Sequence, residues 1–126
     1  MKIAIIVPME EEAEFYKKHF KSENKEVFGT TEFDHFSVNG NDIYLGLSGI
    51  GKVNAAMNLT SLLTKEDIDV IFMTGSAGSL QEDVKRKDLI LPNKFMYYDA
   101  HNTSAGNYVE GQIPQEPAGY TLDNSF

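Results

Sequence analysis

Residues 3–7, Ile-Ala-Ile-Ile-Val, are an unbroken apolar run, and Pro8 closes it. A strand with one wet face alternates apolar and polar residues. A continuous run instead demands cover on both faces, as in the centre of an α/β sheet. Proline has no N–H to give to a ladder, so the strand ends there. Glu10, Glu11 and Glu12 follow and open a helical pattern. Ala13, Tyr16 and Phe20 recur on one side of residues 9–20, and Glu14 and Lys18 form an i,i+4 pair. Acids at the start of that helix and Lys17, Lys18 and His19 at its end suit the helix dipole. The chain therefore builds a doubly covered strand that runs into a helix with three carboxylates in its first turn.

For Glu10 and Glu11 the reading is a solvated helix start. Glu12 shares a helix side with Met9, three residues earlier. A carboxylate at the mouth of a cleft can activate water, so Glu12 carries two readings, solvated helix start and general base.

Residues 22–26 form a polar linker, and 27–48 read as antiparallel strands. Asn39 and Gly40 are a two-residue hairpin signal. In the return strand, 42–47, Ile43, Leu45 and Leu47 fall on one face and Tyr44 and Gly46 on the other, with Phe36 and Tyr44 as candidate cross-strand partners. Ser48-Gly49-Ile50-Gly51 is a tight turn into a helix over 52–63. Val53, Ala56, Met57, Thr60 and Leu63 form its expected apolar side, widened by Ala55 and Leu59. Residues 68–73 give a second buried strand, followed by Thr74-Gly75-Ser76-Ala77-Gly78-Ser79. Short strands are expected at 89–91, before Pro92, and at 95–98. Residues 102–126, rich in Gly, Asn, Ser and Pro, read as an irregular or loop segment.

This order predicts a three-layer α/β domain with a mixed sheet. Ligands in such folds bind outside the carboxyl ends of the strands. Three segments should gather there: 7–12, 48–51 and 75–78.

Composition removes several function classes. The net charge is -8 and Arg86 is the only arginine, which argues against nucleic acid and anionic membrane as partners. There is no cysteine, hence no disulfide, thiolate nucleophile or thiolate metal site. His19, His35 and His101 lack metal-ligand spacing, so no metal is expected. No apolar stretch is long enough for a membrane span, and the expected location is the cytoplasm.

Residues 46–53, Gly-Leu-Ser-Gly-Ile-Gly-Lys-Val, come close to a phosphate-binding P-loop. Val53, however, stands where that loop needs a hydroxyl for magnesium. A dinucleotide turn fails at Asn54, which occupies the place of the third glycine. Gly49 and Gly51 then serve a sharp turn and close helix–sheet packing. Ser76 offers a hydroxyl to a ligand or water, or simply turns the chain between layers. It lies outside any GxSxG nucleophile elbow.

Taken together, MKIAIIVPMEEE, SGIGKVNAA, TGSAGSL and the later Tyr98-Asp99-Ala100 resemble bacterial 5′-methylthioadenosine/S-adenosylhomocysteine nucleosidases, in order and in spacing over residues 1–100. The resemblance implies a purine nucleoside phosphorylase-like fold, a cytoplasmic homodimer, and a role in methionine salvage without metal or organic cofactor. It implies hydrolysis of the N-glycosidic bond of methylthioadenosine or adenosylhomocysteine, releasing adenine. Residue by residue, it makes Glu12 the base that activates water and gives Ser76 the positioning of water or ribose. Met9 and Ile50 become apolar walls at the sugar and 5′-thio side, and Gly78 a backbone-defined part of the site. Residues 99–106, with Asn102 and Ala105, become an intersubunit pocket for the 5′ substituent.

Two positions depart from the family pattern. Val7 and Pro8 stand where the family has Gly-Ala, and Ala105 where it has an aromatic. The resemblance also spans only the first half of a family member. On that ground residues 1–126 are expected to be the N-terminal part of a single nucleosidase domain, a truncated form of the fold. The alternative function is then a catalytically inactive truncated homologue that self-associates or binds a partner chain.

Overall fold

A computed structural model describes residues 1–22, 24–102, 104 and 106–122. The chain divides into two compact units, Met1–Gly78 and Ser79–Phe126.

The first unit holds β1 (Lys2–Val7), α1 (Glu10–His19), β2 (Asn24–Phe28), β3 (Thr31–Val38), β4 (Asn41–Leu47), α2 (Lys52–Leu63) and β5 (Val70–Met73). The strands form one mixed sheet in the order β2-β3-β4-β1-β5. β1 runs parallel to β4 and β5, while β2, β3 and β4 are antiparallel. β1 is thus an interior strand, as its apolar run requires. Ala4 and Ile6 pack with Phe28, Phe33, Tyr44 and Leu62 on the face that α2 covers. Ile5 and Val7 pack with Ala13, Phe36 and Leu45 on the face that α1 covers. Each fully buried large apolar side chain in these layers contributes about 1.5–3 kcal/mol. The result is the expected mixed-sheet, three-layer α/β architecture.

The parallel pairing puts the carboxyl ends of β1, β4 and β5 side by side: Val7 pairs with Leu47, and Ile6 with Met73. Both flanking exits are tied to β1. Ser48 N–H donates to Val7 O at 2.9 Å, and Thr74 N–H donates to Ile6 O at 3.0 Å.

Several local expectations are corrected. The polar linker gives way to β2 from Asn24 onward. The partner of Tyr44 across the sheet is His35, and its ring stacks on Tyr44 at 4.8 Å; Phe36 pairs with Ile43. Residues 89–91 form no strand, and Leu89 is 98% exposed. The largest correction concerns α2. Its buried residues are Asn58 and Leu62, with Leu59 packed alongside, while Val53 and Met57 of the expected apolar side face solvent. The buried face is centred on a polar residue, which a count of apolar positions passes over.

Gly46 explains how Asn58 fits. A Cβ at Gly46 would lie 2.4 Å from a ring carbon of Phe33 and 2.6 Å from Asn58 Oδ1. Asn58 and the Phe33 ring therefore occupy the space that a side chain on β4 would fill, and the Asn58 amide N–H donates to Leu47 O at 3.4 Å.

The second unit contains β6 (Lys94–Phe95) and β7 (Tyr120–Thr121), paired antiparallel, with the Phe95 and Tyr120 rings stacked at 5.2 Å. Among the described residues no helix is long and apolar enough to cross a membrane.

Phe33 and Asn58 are both enclosed, so neither can yield to an added methyl. Gly46→Ala should lower the stability to urea unfolding by about 1–3 kcal/mol, the usual cost of overpacking a core. An unchanged unfolding midpoint would contradict this packing.

Candidate active site

α1 begins directly after Pro8 with Met9 as N-cap, and Met9 makes no side-chain cap bond. Glu12, in the first turn, points toward the exit of β5. There Ser76 donates twice to the same carboxylate oxygen: its hydroxyl and its backbone N–H each lie 2.6 Å from Glu12 Oε1. Such charge-assisted bonds are short and strong relative to neutral ones. Glu12 Oε2 is shielded from solvent and has no hydrogen-bond partner among the described residues. Gly75 eases this approach, since a Cβ there would stand 3.2 Å from Oε2, a tight contact.

The electrostatics follow from the geometry. The Ser76 hydroxyl, and after it the Ser76 backbone N–H, hold the Glu12 carboxyl below the usual glutamate value of 4.5. Partial burial opposes them, and the Met9 backbone amide adds a smaller lowering. Glu12 is therefore a carboxylate at neutral pH, with one oxygen committed to Ser76 and the other shielded and without a partner among the described residues. This arrangement can accept a proton from water and can favour positive charge developing nearby.

The remaining sequence candidates fall in different places. Met9 adjoins Glu12 at the helix start. Ile50 lies on the turn between β4 and α2 and is 72% exposed. Gly78 is open, with no atom within 4 Å of an added Cβ. Asn102 belongs to the second unit, where its amide donates to Gln112 O at 3.3 Å. Ala105 lies outside the described residues. The structure thus brings together Glu12 and Ser76, with Met9 beside them.

Two participants escaped the sequence reading, Thr74 and Tyr16, while Gly75 lay within the segment 75–78 expected at the site. Tyr16 donates its hydroxyl to Thr74 Oγ1 at 3.2 Å. The available signal was spacing. Tyr16 is four residues after Glu12, and Thr74 two before Ser76. A recess of about 380 Å³ elsewhere in the first unit is lined by Lys17, Ser48, Asn54 and Asn58 among others, and by neither Glu12 nor Ser76.

A mixed α/β sheet with a helix-borne carboxylate gripped at the carboxyl ends of two parallel strands, β1 and the edge strand β5, has its polar cluster at the end where such sheets take up ligands. The family model described as "Phosphorylase superfamily" matches residues 2–125, and the chain belongs to that superfamily. Within it the chain is homologous to bacterial 5′-methylthioadenosine/S-adenosylhomocysteine nucleosidases. It is 38% identical over 126 residues to the one from Bacillus licheniformis, covering 100% of this chain and 54% of the relative. It is 39% identical over 121 residues to that of Staphylococcus epidermidis, covering 96% of this chain and 53% of the relative. The crystal structure of the Neisseria meningitidis nucleosidase in complex with methylthio-immucillin-A superposes with a TM-score of 0.89 at 32% identity, covering 98% of this chain and 53% of that one. The chain spans about half the length of the curated relatives it matches.

Removing the Ser76 hydroxyl removes the largest cause of the lowered Glu12 titration. Ser76→Ala should move the Glu12 carboxyl midpoint upward, toward 4.5, in a carbon-detected NMR titration. A midpoint that stays put would show that the hydroxyl does not grip the carboxylate.

Proposed function

We propose that this chain supplies the water-activating side of a hydrolase site that cleaves the N-glycosidic bond of 5′-thio-substituted adenine nucleosides. The observation that carries the reading is the Ser76–Glu12 grip, two donors at 2.6 Å on one carboxylate oxygen. In the reaction the water oxygen bonds to C1′ of the ribose while the bond from C1′ to the purine nitrogen breaks. Adenine leaves with the bonding electron pair and takes up a proton. Glu12 accepts the proton that the attacking water loses. A carboxylate held below the usual range is a weak base, which suits this chemistry: water becomes acidic only as it bonds to an oxocarbenium-like carbon. Ser76 fixes the orientation of the carboxylate, Met9 and Ile50 line the apolar sugar and 5′-thio side, and Gly78 leaves room for backbone approach.

Support for the substrate class comes from the relatives, whose names specify methylthioadenosine and adenosylhomocysteine. A carboxylate at the nucleophile position also disfavours phosphate as attacking group, because like charges repel.

A second reading, an inactive chain that self-associates, is favoured by the outward apolar side of α2, where Val53 is 72% and Met57 60% exposed. One experiment addresses both. Residues 1–126 are spliced to the part of the Staphylococcus epidermidis relative that they do not match, and adenine release from methylthioadenosine is followed. The chimera should release adenine, and Glu12→Gln should lower kcat by about 10²–10⁴-fold, the usual weight of a general base. Release indifferent to Glu12→Gln would overturn the proposed role. The 126 residues alone should release no adenine and should scatter light as a dimer or larger species. Adenine release by a monodisperse monomer would exclude the second reading.

A further inference from the structure

α1 and the exit of β5 face each other as two rails. On α1, Glu12 and Tyr16 are four residues apart, on one side, separated by about 6 Å along the axis. On the β5 exit, Thr74 and Ser76 are two residues apart, about 6.6 Å in extended chain. The spacings match, and each pair is joined: Ser76 to Glu12 at 2.6 Å and Tyr16 to Thr74 at 3.2 Å. Gly75 lies between the rungs, with no side chain to hold the rails apart.

We propose that Tyr16 is a positioning residue for Glu12, acting through its hydrogen bond to Thr74 to keep the first turn of α1 in register with Ser76. The meaning of that role rests on the proposed function, in which Glu12 is the base. The two rungs differ in what anchors them. Thr74 is fixed to the sheet by its N–H bond to Ile6 O at 3.0 Å. Ser76 lies beyond the end of β5 and is exposed. On the helix side, Ala13 next to Glu12 is fully buried and fixes the first turn to the sheet. Without a second tie, the grip of Ser76 on Glu12 would join that helix to a loose strand exit. The Tyr16–Thr74 rung connects the helix, one turn after Glu12, to a point that the sheet holds in place. The simpler role for a half-buried tyrosine is packing with a satisfied hydroxyl. Tyr16 does pack beside the cluster of Ile5, Val7, Ala13, Phe36 and Leu45. The two roles make different predictions for Glu12.

The test is a carbon-detected NMR titration of Glu12 in the 126-residue chain. Tyr16→Phe keeps the ring and removes the donor; Thr74→Val removes the acceptor; Thr74→Ser retains it. If Tyr16 positions Glu12, Tyr16→Phe and Thr74→Val both move the Glu12 midpoint upward, in the direction of Ser76→Ala. Thr74→Ser leaves it where it is, and Tyr16→Phe has a smaller effect in a Ser76→Ala background, where only the backbone N–H of residue 76 still holds the carboxylate. If Tyr16 only packs, Tyr16→Phe changes the unfolding midpoint and leaves the Glu12 titration unmoved, and the proposal is overturned. A shift in the Ser76→Ala background as large as in the native one overturns it as well, because half of the grip is gone there and the effect would then bypass it. In the chimeric enzyme Tyr16→Phe should lower kcat several-fold at constant KM. Failure of the two readings is separable. Adenine release independent of Glu12, with the titration shifts intact, defeats the function and spares the positioning role. Release dependent on Glu12, with no titration shift in Tyr16→Phe, does the reverse.

Discussion

One carboxylate oxygen receives two hydrogen bonds from one residue, and those bonds cross from the exit of β1 to the exit of β5. The contact exists because β1 and β5 are parallel neighbours, so the helix after one strand and the loop after the other leave the sheet at the same end. An antiparallel pairing would send them to opposite ends. The interior position of β1 sets this arrangement, and the continuous burial of Ala4 through Val7 sets the position of β1. Gly75 contributes by omission: a Cβ there would stand 3.2 Å from Glu12 Oε2, a tight contact.

The same contact defines what Glu12 is able to do. Two donors from Ser76 favour the charged form over the burial that opposes it. The group is thereby committed to being an anion at neutral pH, suited to stabilising positive charge and to taking a proton late in the attack of water. It is poorly suited to acting as an acid. Any proton delivered to a leaving purine must come from another group.

Much of this architecture was legible in the residues. The apolar run closed by Pro8 specified a doubly covered strand, and Asn39-Gly40 specified the hairpin between β3 and β4. Glu12 and Ser76 were each identified, but their pairing was not, because two residues 64 apart meet only once the order of strands is known. The face of α2 was misread for a physical reason. Its buried side is built on Asn58, tolerated in the core because Gly46 leaves space beneath it and Leu47 O accepts its amide N–H. Hydrophobic periodicity has no means of seeing a polar residue that fits only because of a glycine on another strand; its Oδ1 stays buried without a partner among the described residues. The partner of Tyr44 was missed by one position, since register in a hairpin depends on the turn geometry and not on which aromatic is nearest. In the second unit β6 and β7 are two residues each, too short for any period to mark.

The central claim is that Ser76 grips an ionised Glu12. The backbone amide of Ser76 reports on it directly, because its N–H points at the charge. Its proton and nitrogen shifts, followed from neutral pH into acid, should move with a single midpoint below 4.5, and the movement should vanish in Glu12→Gln. An amide that does not respond to pH, or one that responds with a midpoint at or above 4.5, would contradict the account.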